Sequence, residues 1–233
     1  MWLITEFEAA TLFSLKQSSA TSSGGKTLLV PTPFAIKMAL LDAACRTRGV
    51  NAAEALWEQI RDLNVALKPA ARVVVSNLFQ KMLRPRRGES NLNATDAGPF
   101  QKTIGYREYA QWVEPLGLAF EVSEQRASEW LVELLMTVNY LGKRGGFVQW
   151  RPPAHWEETL PTEFVIATMT QSAFSINGTL QILDDAGPRL SFDQVNIYRD
   201  ARIGKDRLLH QIVLPNFRLT RSSKSFSLYE RVE

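Results

Sequence analysis

Residues 33–48, PFAIKMALLDAACRTR, cannot be left on a surface. Thr32 supplies a side-chain oxygen suited to a helix N-cap, and Pro33 fits the first turn, where a missing N–H costs nothing. Behind them Phe34, Ile36, Met38, Ala39, Leu40, Leu41, Ala43 and Ala44 make the helix apolar nearly all round, so it has to be buried on most sides. Gly49 ends it, after Arg46 and Arg48 in the last turn, where cations suit the helix dipole. The rest of the chain must supply the cover.

Ahead of this helix, MWLITEFEAATLFSL sets Leu3, Thr5 and Phe7 against Ile4, Glu6 and Glu8, then adds Leu12, Phe13 and Leu15. That density of β-branched and aromatic residues predicts a strand from the N-terminus. KQSSATSSGGK, from Lys16 to Lys26, has nothing to fill a core and predicts an exposed loop with basic ends. Beyond Gly49, Asn51 is the expected cap of a second, amphipathic helix with Leu56, Ile60 and Leu63 on one face. A β-branched run from Ala71 to Leu83 predicts a strand. RPRRGESNLNATDAGPFQK is polar, rich in turn formers and long for a loop in a compact domain. TIGYREYAQWV and LGLAFEV resume strand character on either side of Glu114-Pro115, as a hairpin or a bent strand. Ser123 is the expected cap of a helix that buries Trp130, Leu131, Leu134, Leu135 and Val138. A strand follows from Phe147 to Trp150.

With the second helix left out, this order is βαββαβ, the ferredoxin-like (RRM-like) pattern of an α+β protein. After Pro152-Pro153, short alternating segments are separated by Asp-Asp, Gly-Pro and Pro-Asn turns. They predict a β-rich region, either a second small sheet or an extension of the first. The expected division is a ferredoxin-like domain over 1–151, with a long insertion at about 84–104, and a β-rich region over 152–233.

The single cysteine, Cys45, excludes an internal disulfide framework and a cysteine-rich zinc site, and reads as a small hydrophobe on a helix. No run of about 18 apolar residues occurs, and no basic N-terminal region leads into an apolar stretch with a cleavage site. The expected location is cytoplasmic, with no membrane partner. His155 and His210 have no metal-ligand spacing, and Asp184-Asp185, just before Ala-Gly-Pro, reads as a turn. Walker, dinucleotide-binding and nucleophile-elbow motifs are missing, so neither metal nor cofactor is expected. A metal-free ribonuclease stays open, since it needs only a few scattered His, Lys, Tyr or Ser side chains.

The net charge of +3 is modest, with a sequence pI near 9.1, but its distribution is uneven. Lys81, Arg84, Arg86, Arg87, Lys102 and Arg107 face only Glu89 and Asp96 in the same span, and Phe100, Tyr106 and Tyr109 lie close by. Cations neutralise phosphates and aromatics stack on splayed bases, which is how single-stranded RNA is held. A solvated loop kept soluble by arginines is the plainer reading. YLGKRGGFVQW adds a second basic point. Gly142 is expected to end the helix with positive φ and Gly145-Gly146 to turn tightly into the strand. A corner needs those glycines but not Lys143 and Arg144, which with the exposed backbone N–H groups suit a phosphate.

A βαββαβ unit with a glycine-rich segment after its last helix resembles the RAMP superfamily of CRISPR-associated RNA-binding proteins. The N-terminal strand, the Ser/Gly-rich loop and LLVPTPFAIKMALLDAA are similar to the start of its fifth Cas family. TIGYREYAQWVEPLGLAFEV looks like the strand after that family's projecting thumb. The resemblance implies a subunit capping the 5′ handle of crRNA in a type I, Cascade-like effector complex. Its implied partners are crRNA, a neighbouring backbone subunit and the large subunit, with target DNA met through the assembled complex. Residues 84–104 would be the thumb, and Lys16, Gln17, Ser18, Lys143 and Arg144 would lie near the handle. The full expected RNA-contacting set is Lys16, Gln17, Ser18, Lys81, Arg84, Arg86, Arg87, Lys102, Tyr106, Arg107, Lys143 and Arg144. Some members cut precursor crRNA with Tyr, Lys and His side chains. Here Arg144 follows Lys143 and neither histidine falls in the RAMP-like core, which favours binding without cleavage. The alternatives are a metal-independent endoribonuclease using His155, His210 or Tyr106, and a protein-interaction module without an RNA role.

Overall fold

Eleven strands and four α-helices follow one another among the described residues of the computed structural model, which are 1–16, 25–85, 100–172, 177–196, 199 and 206–232. The protein is α+β, and its strand pairs are antiparallel. One sheet contains β1 (Trp2–Ala9), β2 (Val65–Lys68), β5 (Leu116–Glu121), β6 (Val148–Glu157) and β7 (Val165–Ile166), in the order β6-β1-β5-β2-β7. Leu3, Phe7, Val65, Leu67, Leu118 and Phe120 share one face by alternation. They enter the main core with Ile36 and Leu40 of α1 (Pro33–Arg48) and Leu131, Leu134 and Leu135 of α3 (Glu129–Thr137). Part of the opposite face is closed as well. Trp2, Ile4, Ala66 and Ala119 are buried there with Phe164, and Leu160 packs against them.

Helix α1 forms as its caps dictate. The Ala35 N–H donates to Thr32 Oγ1 at 3.1 Å, and the Gly49 N–H donates to the Cys45 carbonyl at 3.1 Å with φ of 84°. α2 (Val50–Arg61) starts on the very next residue, so Gly49 and not Asn51 is its N-cap. Its buried face is Ala53, Trp57 and Ile60; Leu63, expected on that face, is buried just past the helix end. Ser123 is no cap either. A 3₁₀ turn at Arg126–Ser128 precedes α3, and α3 ends at Thr137. Gly142 does have positive φ, 76°, but it bends a loop beyond the helix.

The expected strand at 71–83 exists, in a different sheet. β3 (Arg72–Pro85) pairs with β4 (Phe100–Trp112), and β11 (Phe226–Arg231) and β10 (Phe217–Ser222) extend that sheet in the order β10-β11-β3-β4. β2, unforeseen, takes its place in the first sheet. Four residues, VALK, are too few for alternation to register. Glu114-Pro115 carries the chain from one sheet to the other, so it is not a hairpin turn. β8 (Gly178–Ala186) and β9 (Arg207–Pro215) form a separate two-stranded ribbon beside α1. Between them α4 (Phe192–Val195) interrupts the region expected to be β-rich, because Ser191 and Gln194 close a capping box. β6 runs across the expected division at residue 151.

Asp184 and Asp185 are not in a turn. They lie in β8 and are buried, and the Gly187-Pro188 turn signal comes just after the strand. Asp185 Oδ1 is 2.7 Å from Lys37 Nζ, an ion pair whose side chains are 5% and 3% exposed. Lys37 Nζ also donates to the Arg61 carbonyl at 2.6 Å, and the Ala186 N–H donates to Asp185 at 2.7 Å. His210 Nε2 stands 3.9 Å from the other carboxylate oxygen. Arg207 pairs with Asp184 at 2.9 Å and lies over the Phe34 ring.

Candidate nucleic-acid interface

The glycine-rich turn is fastened at both ends. Tyr140 and Phe147 form a bridge, the Leu141 N–H donates to the Gly146 carbonyl at 2.9 Å, and the Gly146 N–H donates to the Lys143 carbonyl at 3.0 Å. Thr11 Oγ1 donates to the Gly145 carbonyl at 2.6 Å and accepts from the Phe147 N–H at 2.8 Å. Phe13 in turn bridges to Ala110 of β4. Gly146 is required by space, since a Cβ there would lie 2.9 Å from both the Leu141 carbonyl oxygen and the Phe13 ring. The turn is thereby held against the root of the β3–β4 hairpin.

Between turn and hairpin lies a cavity of about 250 Å³, lined by Leu12, Ser14, Arg107, Tyr109, Leu141, Lys143, Arg144, Gly145 and Gly146. Its electrostatics are one-sided. Burial, then the charges of Arg107 and Lys16, hold the Lys143 ammonium below its ordinary pKa. Like charges crowded this way favour an anion, and a phosphate there would meet several cations at once.

The hairpin beyond the cavity has two different faces. The register pairs Phe79 with Tyr106, Lys81 with Ile104 and Leu83 with Lys102 on one face, and Leu78 with Arg107 and Arg84 with Gln101 on the other. Phe79 is 74% and Ile104 68% exposed. The Tyr106 hydroxyl donates to Asn77 Oδ1 at 2.9 Å, and its ring tilts against Phe79 at 5.2 Å between centroids. RRM-type sheets stack bases on an open face. In this chain Phe164 and Leu160 cover part of the second face of the five-stranded sheet, around Trp2, Ile4, Ala66 and Ala119. Among the described residues no group of three or more His, Cys, Asp or Glu could hold a metal, and no helix is long and apolar enough to cross a membrane.

No family model matches the chain. A curated protein of Archaeoglobus fulgidus, the CRISPR-associated protein Cas5, is 26% identical over 118 residues, half of each chain. The crystal structure of a CRISPR protein from the same organism superposes with a TM-score of 0.50 at 12% identity, covering 100% of this chain and 92% of that one. Over the 118 matched residues the chain is similar to Cas5. It spans about half the length of the curated relative it matches. A chain of a CRISPR RNA-guided surveillance complex is a weaker likeness, with a TM-score of 0.46, 13% identity and coverage of 91% and 90%.

In this chain the fold brings Arg107, Lys143 and Arg144 of the expected set to one cavity, with Lys16 close enough to lower the Lys143 pKa. Lys81, Arg84 and Lys102 lie further out, divided between the two hairpin faces. Tyr106 is half-buried and already hydrogen-bonded. Gln17, Ser18, Arg86 and Arg87 fall outside the described residues. Ser14 and Tyr109 also line the cavity outside the expected set, the sequence marking Tyr109 only as an aromatic near the basic cluster. The signal for Tyr109 was available, because it stands two positions from Arg107 on a strand and so shares its face.

Proposed function

We propose that this chain is a non-catalytic RNA-binding subunit that caps the 5′ handle of crRNA in a type I, Cascade-like effector complex. The observation that carries the reading is the convergence of Arg107, Lys143 and Arg144 on one small cavity, with the Lys16 charge close enough to act on Lys143. Phosphates supply most of the affinity in such contacts, and cations held on a fastened turn and a strand meet them without a large ordering cost. The Cas5 likeness supports the CRISPR assignment.

The strand order β6-β1-β5-β2, with α1 and α3 between strands, supports a ferredoxin-like βαββαβ unit in which the β3–β4 hairpin is inserted. Residues 1–151 form that domain in this reading, the insertion at 84–104 is the thumb, and 152–233 is a β-rich extension. The exposed apolar and basic hairpin suits contact with a neighbouring backbone subunit, and the large subunit and target DNA are met in the assembled complex. The reading places the protein in the cytoplasm. Binding without cleavage is supported by the histidines: His155 pairs with Ile4 across the sheet and His210 adjoins Asp185, neither lining the basic cavity.

The test is binding of a 5′-labelled repeat-derived RNA against an unrelated RNA of equal length, in EDTA and at several salt concentrations. Intact RNA with a handle preference is expected. Lys143→Ala/Arg144→Ala should weaken it by at least about tenfold, or ~1.4 kcal/mol. Its salt slope should become shallower by about 0.7 for each phosphate that the variant no longer neutralises. Specific cleavage would replace the reading with the nuclease, and equal affinity for both RNAs would overturn it.

A further inference from the structure

Arg144 also borders a second, larger cavity of about 570 Å³. That size falls within the roughly 300–1,000 Å³ usual for pockets that enclose small ligands. It opens along the stripe of α1 that other elements leave uncovered, with Met38 and Cys45 on one wall and Phe192 and Val195 of α4 on another. Its rim is polar and connected. Tyr140 borders the cavity with Asp42 and Arg144, and burial, then the Asp42 charge, push its phenol pKa up. Asp42 Oδ2 accepts from Arg46 Nε at 2.7 Å, and Arg46 Nη2 donates to the Thr137 carbonyl at 2.8 Å. Leu141 lines the basic cavity and its neighbour Gly142 the apolar one, so residues 141–144 form the partition.

A nucleotide is divided in the same way. One end is a phosphate and the other a flat, largely apolar ring with hydrogen-bonding edges. We propose that the second cavity receives one unstacked base of an RNA strand whose phosphate occupies the basic cavity, with an amino-bearing edge turned toward Asp42. The inference rests on the RNA-binding reading above and adds a site for a base. Met38, Phe192 and Val195 supply apolar surface for the ring, and Arg144 serves both cavities. The Asp42 carboxylate only accepts hydrogen bonds, so it favours bases that present an amino group and discriminates against uracil's carbonyl-rich edge.

Cys45 makes the test direct, because it is the only cysteine of the chain and lies in the cavity wall. Burial and Asp42 push its thiol pKa up, so labelling with a small maleimide is followed at mildly alkaline pH. The full chain is mixed with a short 5′-phosphorylated oligoadenylate, and binding is recorded by anisotropy in the same samples. At roughly nine-tenths saturation the labelling rate should fall about tenfold, since only unoccupied chains react. An abasic strand of equal length should bind through its phosphates and leave the rate unchanged. Oligouridylate should protect less than oligoadenylate, and Asp42→Asn should remove that difference. Oligoadenylate that binds without slowing the labelling would overturn the base site while leaving the RNA reading standing. Equal protection by the abasic strand would overturn it as well, by showing that the backbone alone covers the thiol. An absence of binding by any of these strands would overturn the base site, while the repeat-derived RNA of the preceding test decides the RNA reading.

Discussion

Lys37→Met removes one partner of the ion pair that ties α1 to β8. The methionine fills similar space, so the change is mainly electrostatic. Asp185 is left in place with a side chain 5% exposed, and the Arg61 carbonyl loses its donor. Breaking a buried pair from one side costs about 3–5 kcal/mol, because an uncompensated charge stays behind. At about 2–4 °C per kcal/mol for a chain of this size, the melting temperature should drop by roughly 6–20 °C. Burial already holds the Asp185 carboxyl above its ordinary range, against the pull of Lys37. Without Lys37 its folded pKa climbs further, while the unfolded carboxyl still titrates near ~3.9. Between those values the folded state binds a proton that the unfolded chain does not. The variant's deficit should therefore be largest above the raised folded pKa and shrink as pH falls through it. Urea denaturation at several pH values measures this through the midpoint at constant slope. Lys37→Met/Asp185→Leu, which removes both charges, should recover most of the loss. A single-variant cost under about 1 kcal/mol, or a double variant as costly as the two singles added, would refute the account.

Raising pH should weaken RNA binding as Lys143 loses its proton, earlier than an ordinary lysine because its pKa is held down; Lys143→Arg should flatten that profile, measured by anisotropy across the alkaline range. Gly146→Ala forces a Cβ against the Leu141 carbonyl and the Phe13 ring, and should cost about 1–3 kcal/mol in urea denaturation as well as RNA affinity. Trp57→Phe removes the buried donor to the Leu190 carbonyl, now at 2.8 Å, and should cost roughly 1–3 kcal/mol by the same assay.

Helix α1 was legible because its signals are local: a threonine, a proline, an apolar run and a glycine, all in adjacent turns. The β3–β4 strands were legible for the same reason, although the sheet they join was not. Sheet membership depends on partners such as β11, far along the chain, and nothing in the residues 71–83 announces them. Asp184-Asp185 misled because a true turn signal sits two residues away, while the lysine that explains the pair lies on α1. The basic cavity was half visible. Lys143 and Arg144 stood out as charges that a corner does not need, whereas their meeting with Arg107 depends on Thr11 and Phe13 fastening the turn to β4. Helix α1 is buried on most sides as expected, and Met38 and Cys45 on its remaining stripe border a cavity that the sequence did not announce.

Gly49 is the last cap of one helix and the first of the next, with φ of 84° and ψ of 164°. No residue intervenes to absorb a change of angle. The mutual inclination of α1 and α2 is thus set by two torsions at a position with no neighbouring atom within 4 Å of an added Cβ. Cys45 and Arg46 lie on one side of this joint and Val50 on the other, all three on the larger cavity. The width of that cavity's mouth is a function of the same two angles. An L-residue at 49 would be accepted by the surrounding space and rejected by its own backbone, so its cost would be expressed as a re-aimed α2 and a reshaped mouth.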